Sequence, residues 1–412
     1  MKIPEVLAPA GSWDRLTSAV AYGADAVYIG GKMFGMRAAP ANFDLDALRK
    51  AVQYCHERHV KLYVTCNVLP RNEEIEGLEE YVRYLDNIGV DALIVADIGI
   101  FRLARRIAPR MDMHISTQAG VVNYLAAREL YDMGASRVVL ARELSLEEIR
   151  TIRDKTPEKL EIEAFVHGAM CMSFSGRCLI SSYMTGRDAN RGACTQPCRW
   201  SYHVVEEKRP GVYYPVMENE EGTFFFNAED LCMIEHLDRL AQAGISSFKI
   251  EGRAKSAYYT ASVTHAYRCA VDILAQNPEQ YSLPEWLREE PNKISHRPYS
   301  TGFYFTENRP GQHYQGANYV CDWDVIAMVE GWEDGWLLCS ERNRFFVGQE
   351  AEVMVPGAAP YPLLIRRIIK EDGTEVDVSR HAMEKIKIPS ERAFPVGAYI
   401  RSRSEKEAGT TI

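Results

Sequence analysis

A chain of 412 residues, 46% apolar and 25% charged, has the material for one large core and a smaller second one. No apolar run approaches the roughly 20 residues that cross a bilayer, and Met1-Lys2-Ile3-Pro4-Glu5 lacks a secretory leader, so a cytoplasmic protein with no membrane contact is expected. The net charge of −9 argues against indiscriminate nucleic-acid binding but leaves room for a local basic patch, and ten cysteines in a reducing compartment read as core residues or ligands.

Residues 1–277 alternate β-branched runs with helix-patterned stretches. Strands are expected at Glu5–Ala10, Ala26–Gly30, Lys61–Val68, Ala92–Asp97, Met113–Thr117, Arg137–Arg142, Glu161–His167 and Ser247–Arg253. Between them, apolar residues recur at helical spacing, as in Leu45, Leu48 and Val52 or Leu78, Val82 and Leu85. Ser145 and Glu148 are spaced as a capping box. A degenerate repeat links the units: Gly23-Ala-Asp25, Gly89-Val-Asp91, Gly134-Ala-Ser136 and Gly244-Ile-Ser246 each close a helix and open a strand. Glycine suits the left-handed position just past a helix C-terminus. Eight such units point to an α/β fold, a TIM-like (β/α)8 barrel whose reactive groups gather at the strands' C-terminal ends. A doubly wound open sheet is the alternative, weakened because no Gly-x-Gly-x-x-Gly follows the first strand.

The connection from the seventh to the eighth strand, residues 168–243, is far longer than one crossover helix needs, and such insertions usually carry function. Residues 278–319 form a Pro- and Tyr-containing connector. Residues 320–412 hold short β-like runs punctuated by Gly and Pro, at Val325–Val329, Trp336–Cys339, Ala351–Val355, Leu363–Ile369, Glu375–Val378 and Ala398–Arg401. They suit a small β-barrel domain.

The insertion contains Cys171, Cys178, Cys194 and Cys198 in the pattern C-x6-C-x15-C-x3-C. Four thiolates so close in sequence can hold tetrahedral zinc or an iron–sulfur cluster. Structural zinc favours two tight knuckles, whereas here only the second pair is tight, and Pro197 stiffens it. An iron–sulfur cluster suits the pattern better, with zinc the alternative metal and buried loop cysteines the plain reading. Cys232 lies in the same insertion at an apparent helix start and reads as a packed thiol able to replace one ligand. Cys55, Cys66, Cys269, Cys321 and Cys339 read as core.

Around these cysteines Arg177, Arg187, Arg191, Arg199, Lys208 and Arg209 face Asp188, Glu206 and Glu207, a local excess of positive charge interleaved with Phe174, Tyr183, Trp200 and Tyr202. Arginine and aromatic side chains together hold phosphates and stack unpaired bases; the plain reading is a solvated loop. Strand ends add Asn67, Asp97, Gln118, Arg142, His167 and the run Lys249-Ile-Glu251-Gly-Arg253. Arg142 and Arg253 can grip a carboxylate, and Glu251 with His167 can move protons. The candidate catalytic groups are therefore His167, Glu251 and Arg142. The candidate substrate-binding groups are Arg177, Arg187, Arg253, Lys249, Tyr183, Asn67 and Gln118. His56-Glu-Arg-His59 has the wrong spacing for a zinc-protease helix, and neither a Gly-x-Ser-x-Gly elbow nor a P-loop is present.

Leu7-Ala-Pro-Ala-Gly11, Gly23-Ala-Asp-Ala-Val-Tyr-Ile-Gly30, the segment from Phe165-Val-His-Gly-Ala-Met-Cys171 to Arg199-Trp200, and Lys249-Ile-Glu-Gly-Arg253 resemble the U32 peptidase family along essentially the whole chain. Within it the sequence is similar to the prephenate-dependent tRNA uridine hydroxylases. That resemblance implies a 4Fe–4S cluster on Cys171, Cys178, Cys194 and Cys198, although some relatives take the fourth ligand from outside the C-x3-C pair. It further implies oxygen-independent conversion of wobble uridine to 5-hydroxyuridine in tRNA, with prephenate, a small dicarboxylate, as co-substrate. The family's older label implies a metal-dependent collagenase-like peptidase instead. Other members imply a hydroxylase of ribosomal RNA or of a quinone precursor, and a non-catalytic cluster protein is a further reading.

Overall fold

The computed structural model describes residues 2–34, 42–171, 178, 180–187, 189, 193–199, 217–219, 222–224, 228–305 and 319–404. Its first part is a closed barrel of eight parallel strands: β1 (Glu5–Ala10), β2 (Ala26–Gly30), β3 (Lys61–Cys66), β4 (Ala92–Val95), β5 (Asp112–Ile115), β6 (Arg137–Val139), β7 (Glu161–Ala169) and β8 (Ser247–Ile250). Neighbours pair in order, and β8 pairs with both β7 and β1, which closes the ring. The strands read as unbroken apolar runs because helices cover one face and the barrel interior the other; β2 and β4 are buried throughout.

The enclosing helices are α1 (Trp13–Ala21), α2 (Leu45–His56), α3 (Leu78–Asn87), α4 (Ile98–Ile107), α5 (Tyr124–Asp132), α6 (Leu146–Asp154), α7 (Leu237–Gln242) and α8 (Ala257–Gln276). The capping box at α6 forms: Ser145 Oγ accepts from Glu148 N–H, and Glu148 accepts from Ser145 N–H. Gly23, Gly89, Gly134 and Gly244 all have φ between 83° and 106°, the left-handed turn expected of the repeat. The repeat's third residue has a role that its spacing did not reveal. Asp25 and Asp91 accept the backbone N–H of Val6 and Leu62 at 2.8 Å, tying each helix-to-strand turn to the preceding strand.

Two short strands extend the barrel sheet. Asp230–Cys232 runs antiparallel to the end of β7, and Tyr299–Ser300 pairs beside it. The expected helix start at Cys232 is thus a strand, followed by a 3-10 turn at Ile234–His236 and then α7. The connector holds, among its described residues, a short helix, Glu285–Glu289, and the Tyr299–Ser300 strand.

The C-terminal domain is an eight-stranded antiparallel sheet in the order Tyr361–Leu364, Glu350–Met354, Tyr399–Arg403, Trp323–Glu333, Trp336–Glu341, Lys385–Pro389, Ile368–Lys370, Glu375–Val376. Its own core contains Ile326, Val329, Phe345, Val353, Ile386 and Ile400. The expected single strand at Leu363–Ile369 is two, split around Ile365. A buried ionic seam fastens this domain to the barrel side. Arg401 donates to both Glu290 oxygens at 2.7 Å and to Glu352 at 2.8 Å, and Lys293 meets Glu352 at 2.7 Å. No described helix is long and apolar enough to cross a membrane.

Candidate functional site at the barrel mouth

The C-terminal ends of β2, β3, β7 and β8 bring the chemistry together. Arg253 follows β8, lies buried, and donates from Nη1 to Thr65 Oγ1 of β3 at 2.8 Å. Its guanidinium passes over the end of β2, where a Cβ added at Gly30 would stand 2.5 Å from Nη1. Glycine at this strand end makes room for the arginine. Arg142, just past β6, donates from Nη1 to Ala169 O at 2.7 Å, lies 3.8 Å over the Phe165 ring, and holds Nη2 3.7 Å from Glu251 Oε2. Arg142 and Glu251 are both partly buried. Asn67 is half-buried, with Nδ2 3.5 Å from Ser116 Oγ, and Gln118 is half-buried in the 3-10 turn after β5.

Two residues stand differently from expectation. Lys249 points into the barrel, where Nζ meets the fully buried Glu163 at 2.7 Å and stands over the Tyr28 ring. Residues alternate inside and outside along a strand, and the odd-numbered Ser247 and Lys249 take the inner face. Lys249 therefore belongs to the interior ion network and not to the mouth. His167 is 1% exposed, its ring enclosed by those of Tyr259, Tyr267 and Tyr299. Burial pushes its pKa down to about 3 despite the opposing charge of Asp230. The ring makes packing contacts with those tyrosines, and His167 joins Glu251 through the backbone, Glu251 N–H donating to His167 O at 2.9 Å.

In the insertion the thiols separate from the core cysteines. Cys55, Cys66, Cys269 and Cys339 are buried, whereas Cys171 and Cys194 are exposed and Cys178 and Cys198 half-buried; none of these is in a disulfide. Cys321, expected in the core, is exposed. Cys232 packs against Tyr267 with its thiol pushed up to about 11 by burial, as a packed thiol would be. Gln196 N–H donates to Cys194 Sγ at 3.3 Å, an amide-to-sulfur bond of the kind that tunes thiolate sites. Thr195 latches the Cys194 segment to the helix Ile180–Thr185, its N–H donating to Ser181 Oγ at 3.2 Å. Gln196 and Ala169 line the same cleft as Glu251 and Gly252, so the second cysteine pair borders the mouth.

Four non-core thiols outside any disulfide fit a thiolate-bound metal group in number and chemistry. Among the described residues, however, no three His, Cys, Asp or Glu side chains are gathered as a metal site. Residues 172–177 and 190–192, which set the path between the thiols, lie outside the described residues, and Arg177 is among them. Arg187 is exposed, and Tyr183 is 89% exposed, away from any packed site.

The model of peptidase family U32 matches residues 11–314, and that of the family's C-terminal domain matches residues 322–401. The chain belongs to peptidase family U32. Among its U32 relatives, "tRNA hydroxylation protein P1" of Bacillus subtilis is 38% identical over 394 residues, covering 94% of this chain and 92% of the relative. "tRNA hydroxylation protein P" of Escherichia coli is 37% identical over 396 residues, covering 86% of each. The "23S rRNA 5-hydroxycytidine C2501 synthase" of Escherichia coli is 38% identical over 272 residues, 66% of this chain and 40% of the relative.

Residues that motif reasoning missed are those serving others: Thr65, Gly30 and the tyrosines around His167. Glycines at strand ends were the signal of close approach in the sequence: Gly30 faces the Arg253 guanidinium, Gly11 the Arg253 carbonyl and Gly168 the Glu251 carbonyl.

Proposed function

We propose that this U32 chain hydroxylates RNA at C5 of a pyrimidine, with wobble uridine of tRNA as its substrate and prephenate as co-substrate. What carries the reading is near full-length similarity to relatives named tRNA hydroxylation proteins. A relative named for making 5-hydroxycytidine in ribosomal RNA supports the same atom of a pyrimidine ring.

Cys171, Cys178, Cys194 and Cys198 would hold a 4Fe–4S cluster, and a bound cluster supplies one-electron redox chemistry. The chain's own residues supply binding and orientation. Arg142, braced on Ala169 O and the Phe165 ring, offers its second arm to a carboxylate of the small acid. Arg253 contributes a second guanidinium, held in place by Thr65. Glu251, 3.7 Å from Arg142, is the carboxylate positioned to hold a proton at the mouth. The enclosed His167 does not favour a hydrolytic reading, since a ring 1% exposed and packed among three tyrosines leaves no room for a water to activate.

Mass spectrometry of tRNA nucleosides from cells with and without the gene tests the reading: 5-hydroxyuridine derivatives disappear in the deletion strain. Unchanged nucleosides there would sink it. Anaerobically reconstituted protein should absorb broadly near ~400 nm from thiolate-bound iron; a colourless sample with stoichiometric zinc would replace the cluster by zinc.

A further inference from the structure

The cavity at the mouth does not end there. It runs on between the barrel and the C-terminal domain with a volume of about 1230 Å³. That exceeds the roughly 300–1,000 Å³ of small-molecule sites, which suits a strand better than a metabolite. One wall comes from the barrel side, with Tyr54, Lys255 and Tyr319, the other from the C-terminal domain, with Trp323 and Arg342.

Charge in the cleft is distributed unevenly. Among the described residues Lys255 has no carboxylate in ion-pair range; its ammonium lies 4.4 Å from the Tyr319 ring and 5.5 Å from that of Tyr259. Arg342 also lacks a carboxylate partner there, and its guanidinium rests on the sulfurs of Met328 and Met383. The cleft also carries acidic groups: Asp14 accepts from Ser12 and Asp324 from Ser404, hydroxyl contacts that leave both carboxylates charged, and Glu251 stands beside Arg142, so the cations act locally and not through a basic field over the whole cleft. Aromatic platforms accompany the cations. Tyr319 is 39% exposed, and Tyr54 carries Arg58 over one face at 3.9 Å. Unpaired cations interleaved with aromatic faces are the makings of a single-strand track, phosphates meeting the cations and bases stacking on the rings.

We propose that the cleft between the barrel and the C-terminal domain holds the unpaired nucleotides flanking the target base, with Lys255 and Arg342 on phosphates and Tyr319 as a stacking platform. The proposal rests on the RNA reading above and makes the C-terminal domain part of the substrate site. It explains why that domain is fastened by a buried ionic seam: a track built from two walls needs them at fixed separation.

The test uses the full chain and a fluorescein-labelled, unmodified anticodon stem-loop, with Kd measured by anisotropy across a salt series. K255Q and R342Q should each weaken binding several-fold and the double variant by about tenfold, while the log–log salt slope falls by about 1.4, at roughly 0.7 per lost phosphate contact. R392Q removes a charge outside the cleft and should leave Kd and slope unchanged, and circular dichroism checks that each variant is folded. A folded double variant with native Kd and slope overturns the cleft and leaves the RNA reading standing. A native chain without salt-dependent affinity for the stem-loop overturns both.

Discussion

At the N-terminal end of the barrel Arg137 meets Glu5, Glu161 and Glu163 at 2.7, 2.6 and 2.9 Å, and Glu163 passes on to Lys249. At the opposite end Arg142 gives one arm to a carbonyl and keeps the other 3.7 Å from Glu251. Both ends carry buried or half-buried charge. At the first, Arg137 is surrounded by three carboxylates, Lys249 is paired with one, and Tyr63 closes the network on Glu5. At the second, the Arg142–Glu251 pairing is longer, and Glu251 borders the cleft toward the C-terminal domain. Saturated charge holds a structure together; charge left with slack is available to a ligand. In barrels of this kind the N-terminal face serves stability and the C-terminal face chemistry.

The contrast can be broken most sharply at Glu163. Glu163→Ala leaves Lys249 and Arg137 buried without their shared partner, so urea unfolding should show a loss of about 3–5 kcal/mol. A loss below about 1 kcal/mol would mean the network is wetter than its geometry indicates.

Acid should act on the interior next. Burial holds His167 near 3, and His114, between Arg137 and Lys249, well below its usual value. Both are neutral in the fold and gain a proton near pH 6.5 when unfolded, so stability falls as pH drops below about 6.5. The loss is about 2 kcal/mol for His167 between pH 7 and 5, and His114 adds to it in the same direction. Burial opposes charge on Glu163, but Lys249 and Arg137 outweigh it and lower its pKa; that contribution is present above its unfolded value and is lost as pH falls through the folded one. A flat stability profile from pH 7 to 5 would contradict the enclosed histidines.

At the mouth the expected losses are in activity. Gly30→Ala pushes the Arg253 guanidinium aside, at a folding cost of about 1–3 kcal/mol from overpacking, and should reduce hydroxylation far more than it reduces the unfolding midpoint. Arg142→Lys loses the planar fork and should lower hydroxylation by about tenfold, roughly 1.4 kcal/mol, with unfolding unchanged. Equal activity in that variant would remove Arg142 from substrate binding. The smallest effect is Ser145→Ala, which deletes the α6 cap and should lower stability by about 1 kcal/mol without touching activity.

Much of the barrel was legible because its signals are local. β1 and β2 fall where apolar runs end at turn residues, and the four repeat glycines sit past helix ends in both readings. The strands at Asp230–Cys232 and Tyr299–Ser300 are too short to show a period of two, and their pairing is decided by distant residues. Lys249 was misplaced for a related reason: adjacent polar residues at a strand end look alike in sequence, yet alternate faces send Lys249 inward to Glu163 and leave Glu251 at the mouth. His167 reads as a catalytic residue in sequence because the three tyrosines that enclose it come from α8 and the connector.

The rung between Ala169 and Asp230 has a further implication. The long excursion after β7 departs and returns at neighbouring positions on a single ladder, so its two feet stay together whatever lies between. Exit and return therefore share one anchor, and the strain of holding that segment above the ring falls on the end of β7 and not on the other seven strands.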